Sequence, residues 1–228
     1  MLDVRRGEPC VRPCAVSSEV RYLDIEEIRR DIVFRQYLRG IDFIFHSTWG
    51  LFSPRDIDAG SRLLIEYMQV DETDICLDLG CGYGPIGLTM AKLAPQGKVF
   101  MVDRDFVAVE YARKNVELNG LSNCEIFLSN AFSHIPDGIK FDVIASNLPA
   151  HVGKELLYVI LSDAKRHLKN GGRLYVVTIA GIRAFIKRNF IQVFGNYRKV
   201  KQGRAYTVAL AVKGTSEGAA AMYHTQEY

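Results

Sequence analysis

Four glycines, at positions 80, 82, 84 and 87, follow directly on the apolar run Ile75-Cys76-Leu77-Asp78-Leu79 and open a helical pattern that continues to Ala94. No other feature of the chain limits its fold as tightly. A buried strand that ends in residues without side chains can bend sharply into a helix and bring its backbone close to a ligand. Val99 to Val102 reads as the next strand, which makes one strand-helix-strand unit. Asp103 closes it, twenty-one residues past Gly82. A carboxylate at that place, beside the turn on the C-terminal edge of a parallel sheet, can accept hydrogen bonds from both hydroxyls of a ribose. The unit is therefore expected to hold an adenosine-like cofactor, with Gly80, Gly82 and Gly84 forming the turn.

The spacing Gly82-x-Gly84-x-x-Gly87 also satisfies the dinucleotide fingerprint, so the glycines alone do not separate a nicotinamide-dependent oxidoreductase from other adenosine users. Their neighbours do. Pro85 has no N–H to offer a phosphate, and Asp78 in front of the turn repels one. An acid there suits a cation. The methionine part of S-adenosyl-L-methionine carries an ammonium and a sulfonium, and Asp78 is expected to lie near them, directly or through water.

The rest of the chain extends the pattern. A helix is expected from about Phe106 to Leu118, stopped by Asn119-Gly120, then strands at Glu125–Leu128 and Phe141–Ala145. A further helix from Lys154 to Leu168 ends at Asn170-Gly171-Gly172 and leads into a strand at Arg173–Ile179. Tyr197–Lys201 and Ala205–Val212 flank Gln202-Gly203-Arg204 as a hairpin. The expected fold is α/β: a Rossmann-like, seven-stranded, mainly parallel sheet ending in an antiparallel hairpin, with three αβα layers.

At 228 residues and 48% hydrophobic content, one full domain is expected. Residues 1–40 read as an irregular leader plus an accessory helix, capped by Ser17 or Ser18, carrying Val20, Leu23, Ile28, Ile32 and Leu38 and stopped by Gly40. Residues 41–212 form the domain, and 213–228 a polar tail. No run of eighteen apolar residues occurs and the N-terminus lacks a basic-then-apolar layout, so a cytoplasmic protein without membrane contact is expected. The five cysteines, Cys10, Cys14, Cys76, Cys81 and Cys124, read as reduced thiols, and no metal site is expected. A net charge of +3 neither demands nor excludes an anionic partner.

Chemistry is expected where Val143-Ile144-Ala145 runs into Ser146-Asn147-Leu148-Pro149-Ala150-His151. An exocyclic amine on a nucleobase is a poor nucleophile because its lone pair is delocalised, and fixed oxygens that accept its hydrogens help it. The Asn147 side chain and the Leu148 carbonyl are candidates, with Pro149 stiffening the loop. Holding the amine in line with the methyl group supplies the rest.

These segments together resemble the small-domain methyltransferases dependent on S-adenosyl-L-methionine, a family that includes the guanine-N2 methyltransferases of ribosomal RNA. The resemblance runs from about Ile41 to Val212 and rests on Trp49-Gly50-Leu51-Phe52-Ser53-Pro54, Asp58 to Leu64, Asp78 to Gly87, Asp103, Asn147-x-Pro149 and His151-x-Gly153-Lys154. It implies that Phe52 and Ser53 contact the cofactor, and that Asn130 and Ala131 take the place where methyltransferases of this architecture present an acid to the adenine amine. Family members usually carry Asn-Pro-Pro followed by an aromatic that packs on the target base, whereas this chain has Leu148 and Ala150. Losing a base-stacking ring costs about 1 to 3 kcal/mol. Trp49, Phe132, Phe45 and His151 are the candidates to replace it, with Trp49, Ala150 and His151 assigned to the substrate side. The expected activity is N-methylation of an exocyclic amine, in RNA with guanine N2 favoured, or else of a small-molecule or peptide amine. A protein that keeps the cofactor but has lost the chemistry is the remaining alternative. Arg5, Arg6, Arg12, Arg29, Arg30, Arg35 and Arg39 are the candidates for RNA contact.

Overall fold

The computed structural model describes residues 30–148 and 153–214. Two strands, β1 (Ile32–Leu38) and β2 (Ile41–Ser47), form a separate hairpin. After it come α1 (Ala59–Tyr67), β3 (Ile75–Leu79), α2 (Pro85–Leu93), β4 (Lys98–Asp103), α3 (Phe106–Leu118), β5 (Cys124–Leu128) and β6 (Phe141–Asn147). The chain continues through α4 (Lys154–His167), β7 (Leu168–Ile179), a short 3-10 turn, α5 (Arg183–Phe194), β8 (Arg198–Gln202) and β9 (Tyr206–Val212). Seven of the strands make one sheet in the order β5-β4-β3-β6-β7-β9-β8. The first five of these run parallel, while β9 is antiparallel to both β7 and β8.

Alternation along each strand builds the layers. Cys76, Val99, Met101, Val143, Ala145, Tyr175 and Val177 face one core, packed under α1, α2 and α3. Leu77, Phe100, Val102, Ile144, Leu174 and Val176 face the other, under α4 and α5. Strands buried on both faces carry few polar residues, as a parallel sheet requires. The chain leaves β3 for β4 on one side, and β6 later pairs on the other. The crevice at this switch of direction, at the C-terminal ends of β3, β4 and β6, is where open α/β sheets bind ligands.

The N-terminal accessory helix is corrected over its described part. Residues 32–38 form a strand, and the division at residue 40 falls inside a hairpin turn. Arg39 and Gly40 both have positive φ, 51° and 82°, the two-residue turn whose twist matches antiparallel strands. Along Ile32-Val33-Phe34-Arg35-Gln36-Tyr37-Leu38 every second residue is half-buried or buried and those between are exposed, a period of two that decides for strand over helix. Residues 1–29, with Cys10, Cys14, the proposed caps and most of the arginines singled out for RNA, lie outside the described residues, as do 215–228.

Side-chain amides stitch the hairpin to the sheet. Asn119 accepts from the Ile44 N–H and donates to its carbonyl, and Asn115, four residues earlier on α3, does the same with His46. Asn115 also donates to the Tyr83 carbonyl in the glycine-rich turn. Phe34, Phe45 and Tyr83 pack ring to ring between hairpin and turn. At the hairpin tip Arg39 donates to the carbonyls of Ile65, Glu66 and Met68, a cation at the C-terminus of α1.

Asn115→Ala strands three backbone groups at once, and its expected cost is about 3 kcal/mol. Urea unfolding checks this, with Gln96→Ala, whose side chain bonds only at the surface, expected to stay within about 0.5 kcal/mol of wild type.

Candidate functional site

The glycine-rich turn is held by two carboxylates. Gly82 N–H donates to Asp103 Oδ2 (2.9 Å), and Gly87 N–H, in the first turn of α2, donates to Asp78 Oδ2 (2.8 Å). Gly84 begins the helix at φ 99°, a conformation open to glycine, and a Cβ on Gly87 would collide with Met101 Sδ. Pro85 follows at the first helical position.

These bonds bear on what the turn can hold. A phosphate needs free N–H groups at the helix start. Here the Gly82 and Gly87 groups are committed to carboxylates, the Gly84 N–H donates to Cys81, and Pro85 has none. The charge around the turn is negative. A cationic ligand fits this chemistry and a pyrophosphate does not.

Asp78 differs from expectation in its placement. It is wholly buried and braces the turn from beneath, and its Oδ1 has no hydrogen-bond partner among the described residues. Burial, with a smaller push from the Asp103 charge and against the hydrogen bond from Gly87, raises the carboxyl to about 7. Asp103 is at the rim. Its Oδ1 accepts from the Asp105 N–H (3.0 Å), and with about four lone-pair positions the carboxylate keeps room for further donors.

The Phe52–Ser53 loop is anchored to the same turn, because Tyr83 Oη donates to the carbonyls of Ser53 (3.1 Å) and Asp56 (3.2 Å). Ser53 itself has φ 50° and donates to the Asp56 carbonyl. Phe52 leaves 70% of its surface exposed. Asn130, at the end of β5, and Ala131 line a cavity of about 290 Å³ with Phe132, Leu156, Val159 and His167.

At the end of β6, Asn147 is fixed in a way the sequence did not announce. Its Nδ2 donates to Asp58 Oδ2 (3.1 Å) and to Ser61 Oγ (3.0 Å). Asp58 is the N-cap of α1, where its other oxygen accepts from Gly60 and Ser61. Both amide hydrogens are therefore used, and Oδ1 is left as an acceptor with no donor on it among the described residues. Asp58 and Ser61 stand in one of the motifs quoted above, but a cap that doubles as a clamp needs α1 to lie against the end of β6. Only the fold shows that.

Of the rings considered as base-stacking replacements, Phe45 is fully buried in the core and Phe132 is buried and stacked on His167 at 4.7 Å. Phe45 offers no ring face outside the core, and Phe132 borders the cavity beside Asn130 with its ring stacked on His167. Trp49 is 44% exposed, with Arg55 over one face of its ring. Leu148 is buried, and Pro149, Ala150 and His151 lie outside the described residues. Cys76 and Cys81 are buried free thiols and Cys124 a half-buried one that burial pushes up to about 12. Among the described residues no helix is long and apolar enough to cross a membrane, and no group of three His, Cys, Asp or Glu is placed to hold a metal ion.

Residues 42–210 match the family described as methyltransferase small domain. The uncharacterized protein YbxB of Bacillus subtilis (strain 168) is 40% identical over 141 residues, 61% of this chain and 70% of that protein. Among solved structures, the T. thermophilus 16S rRNA N2-guanine methyltransferase RsmC, in complex with AdoMet and guanosine, superposes with a TM-score of 0.73 at 27% identity. That match covers 79% of this chain and 50% of the other, so the chain spans about half the length of that enzyme. A methyltransferase from Pyrococcus furiosus gives 0.58 at 26% identity, over 73% of this chain and 91% of that one.

The raised Asp78 carboxyl binds its proton more tightly in the folded state than in the unfolded one. Its contribution to stability is thus complete below about pH 4 and is lost as pH rises through about 7, at about 1.4 kcal/mol per pH unit. Thermal unfolding of wild type and Asp78→Asn should show the variant gaining on wild type between pH 5 and 7, with the difference between them levelling off above pH 8. A constant difference across that range would show that Asp78 does not titrate there.

Proposed function

This chain belongs to the methyltransferase small domain family and is an S-adenosylmethionine-dependent methyltransferase, and we propose that it methylates an exocyclic amine of a nucleobase in RNA, with guanine N2 as the favoured atom. The observation that carries this reading is the clamped amide of Asn147. A side chain whose two N–H groups are held by Asp58 and Ser61 offers only its oxygen, the group that a delocalised amine needs opposite its hydrogens. The likeness to RsmC, solved with guanosine, supports RNA and guanine together.

When bound, the cofactor supplies an electrophilic methyl group on its sulfonium. Asp103 receives the ribose hydroxyls on its remaining lone pairs, Gly80, Gly82 and Gly84 let the backbone approach, and Asn130 and Ala131 border the adenine. Phe52 and Ser53 close over the turn. Asp78 holds the turn in shape and favours a positive charge above it. On the acceptor side Asn147 Oδ1 accepts one hydrogen of the amine and the Leu148 carbonyl a second, which turns the nitrogen lone pair toward the methyl group. Pro149 stiffens this loop, and Trp49, Ala150 and His151 border the base. Asp58 and Ser61 are positioning residues, because they act through Asn147.

A second acceptor class, a small-molecule or peptide amine, is favoured by one observation: Phe45 is wholly buried in the core and the Phe132 ring is already stacked on His167. Methyl-labelled cofactor incubated with protein-free ribosomal RNA or with a metabolite and peptide extract separates the two, and label is expected in the RNA. Asn147→Ala should bind the cofactor as wild type does and lose about a hundredfold or more in transfer rate. Ser61→Ala, which leaves Asp58 in place, should lose less and mainly in kcat. Label entering only the extract would overturn the RNA assignment, and full activity in Asn147→Ala would remove that residue from the chemistry.

A further inference from the structure

The net charge of +3 conceals a strong division along the chain. Residues 1–163 contain 17 Lys and Arg against 24 Asp and Glu, whereas residues 164–216 contain twelve Lys and Arg and no acid. Five of the twelve are engaged. Arg166, Lys169 and Arg173 pair with Asp163, Asp142, Asp71 and Asp74, and Lys165 and Lys213 donate to carbonyls. Arg183, half-buried at the start of α5, is bonded to Thr207. The remaining six, Lys187, Arg188, Arg198, Lys199, Lys201 and Arg204, are exposed, and none is paired with a carboxylate among the described residues.

The fold collects these six at one edge. β8 is the outermost strand and contributes Arg198, Lys199 and Lys201, the β8–β9 turn contributes Arg204, and the exposed side of α5 contributes Lys187 and Arg188. Lys199 stands opposite Ala209, on the α5 face of the sheet, while Arg198 and Lys201 stand opposite Leu210 and Val208, on the α1 face. The charge thus wraps the edge. Charged side chains, lysine above all, guard an edge strand against pairing with another chain, a role confined to the strand itself. Six cations continuing onto a helix and a turn exceed that need.

Aromatic rings lie among the charges. Lys201 sits over Tyr67 at 4.9 Å, Lys187 over Tyr197 at 5.9 Å and Arg188 over Phe185 at 5.7 Å. Basic side chains interleaved with rings match a polymer that carries phosphates and unstacked bases. The patch also points toward the acceptor site. Gly203 and Tyr206 pack against Leu63 and Gly60 of α1, next to Ser61, which holds Asn147. The β8–β9 turn and the start of α5 are therefore at the same end of the sheet as Asn147.

We infer that the β8 edge, with the β8–β9 turn and the exposed side of α5, is an RNA-docking surface that grips phosphates and leads the strand toward Asn147. This rests on the reading of RNA as the acceptor. The test compares the full chain with the variant Arg198→Gln/Lys199→Gln/Lys201→Gln/Arg204→Gln, which alters no residue assigned to cofactor or amine. Binding of protein-free 16S ribosomal RNA and of poly-glutamate is titrated between 50 and 200 mM salt, at about the range where phosphate contacts dominate. Wild type should bind the RNA with a steep salt dependence. The variant should bind roughly a hundredfold more weakly at 0.1 M salt, with a slope shallower by about three, about 0.7 for each lost phosphate contact. Cofactor affinity and thermal midpoint should be unchanged. Equal RNA affinity and slope in both proteins, no RNA binding by wild type, or poly-glutamate binding as tightly as RNA would each overturn the docking surface. Transfer of label from the cofactor separates this outcome from the fate of the functional reading. If wild type and variant methylate RNA with the same KM, the surface falls and the RNA reading stands. If neither labels RNA while an extract amine is labelled, the RNA reading itself falls.

Discussion

Two carboxylate-to-amide bonds, Asp78 to Gly87 and Asp103 to Gly82, fix the turn on which the rest of the site depends. They join three elements at one point, since Asp78 belongs to β3, Asp103 to the end of β4, and the amides to the glycine-rich turn and the first turn of α2. They also set the character of the site. Backbone N–H groups that point outward make a helix start an anion site. Turned onto two acids, with a proline beside them, they leave a turn that favours positive charge.

The end of β6 repeats this logic with different groups. Asp58 satisfies the start of α1 with one oxygen and holds Asn147 with the other, so the cap of a helix and the orientation of the Asn147 amide are one device. The hairpin is tied in by amides as well. Asn115 and Asn119 act as a partner strand for β2, and Asn115 reaches on to Tyr83, whose hydroxyl holds the Phe52–Ser53 loop. A chain of hydrogen bonds therefore runs from the hairpin through the turn to the loop that borders it.

The parallel core was legible in the sequence because burial on both faces leaves short apolar runs, and glycines or asparagines mark where each run stops. From Ile75 to Val212 most of the expected strands and helices stand within a few residues of expectation, but β7 starts at Leu168 instead of Arg173, through the Asn170-Gly171-Gly172 expected to separate helix from strand, and α5 (Arg183–Phe194) was not expected at all. The N-terminal hairpin was not legible. Ile32 and Leu38 also fit a helical period, and Gly40 stops a helix as readily as it closes a two-residue turn, so the spacing of large residues misled where the alternation Ile32, Phe34, Gln36, Leu38 decided. Asp78 was singled out in the sequence for the cofactor's positive groups, whereas in the structure it is buried and bonded to Gly87, because which way its side chain turns depends on strand register. The clamp on Asn147 joins positions 86 and 89 residues apart, a separation that no local pattern reveals. The basic edge was hidden by addition, because an acidic first part cancels it in the total.

The central claim is that the turn, with Asp103 at its rim, receives S-adenosylmethionine and not a dinucleotide. Calorimetric titration of the cofactor and of NAD into wild type and Asp103→Ala tests it most directly. Wild type should bind S-adenosylmethionine, the variant should bind it on the order of a hundredfold more weakly through loss of two hydrogen bonds to a charged group, and NAD should give no binding heat with either. Equal affinity of the two proteins for S-adenosylmethionine, or tighter binding of NAD, would contradict the account.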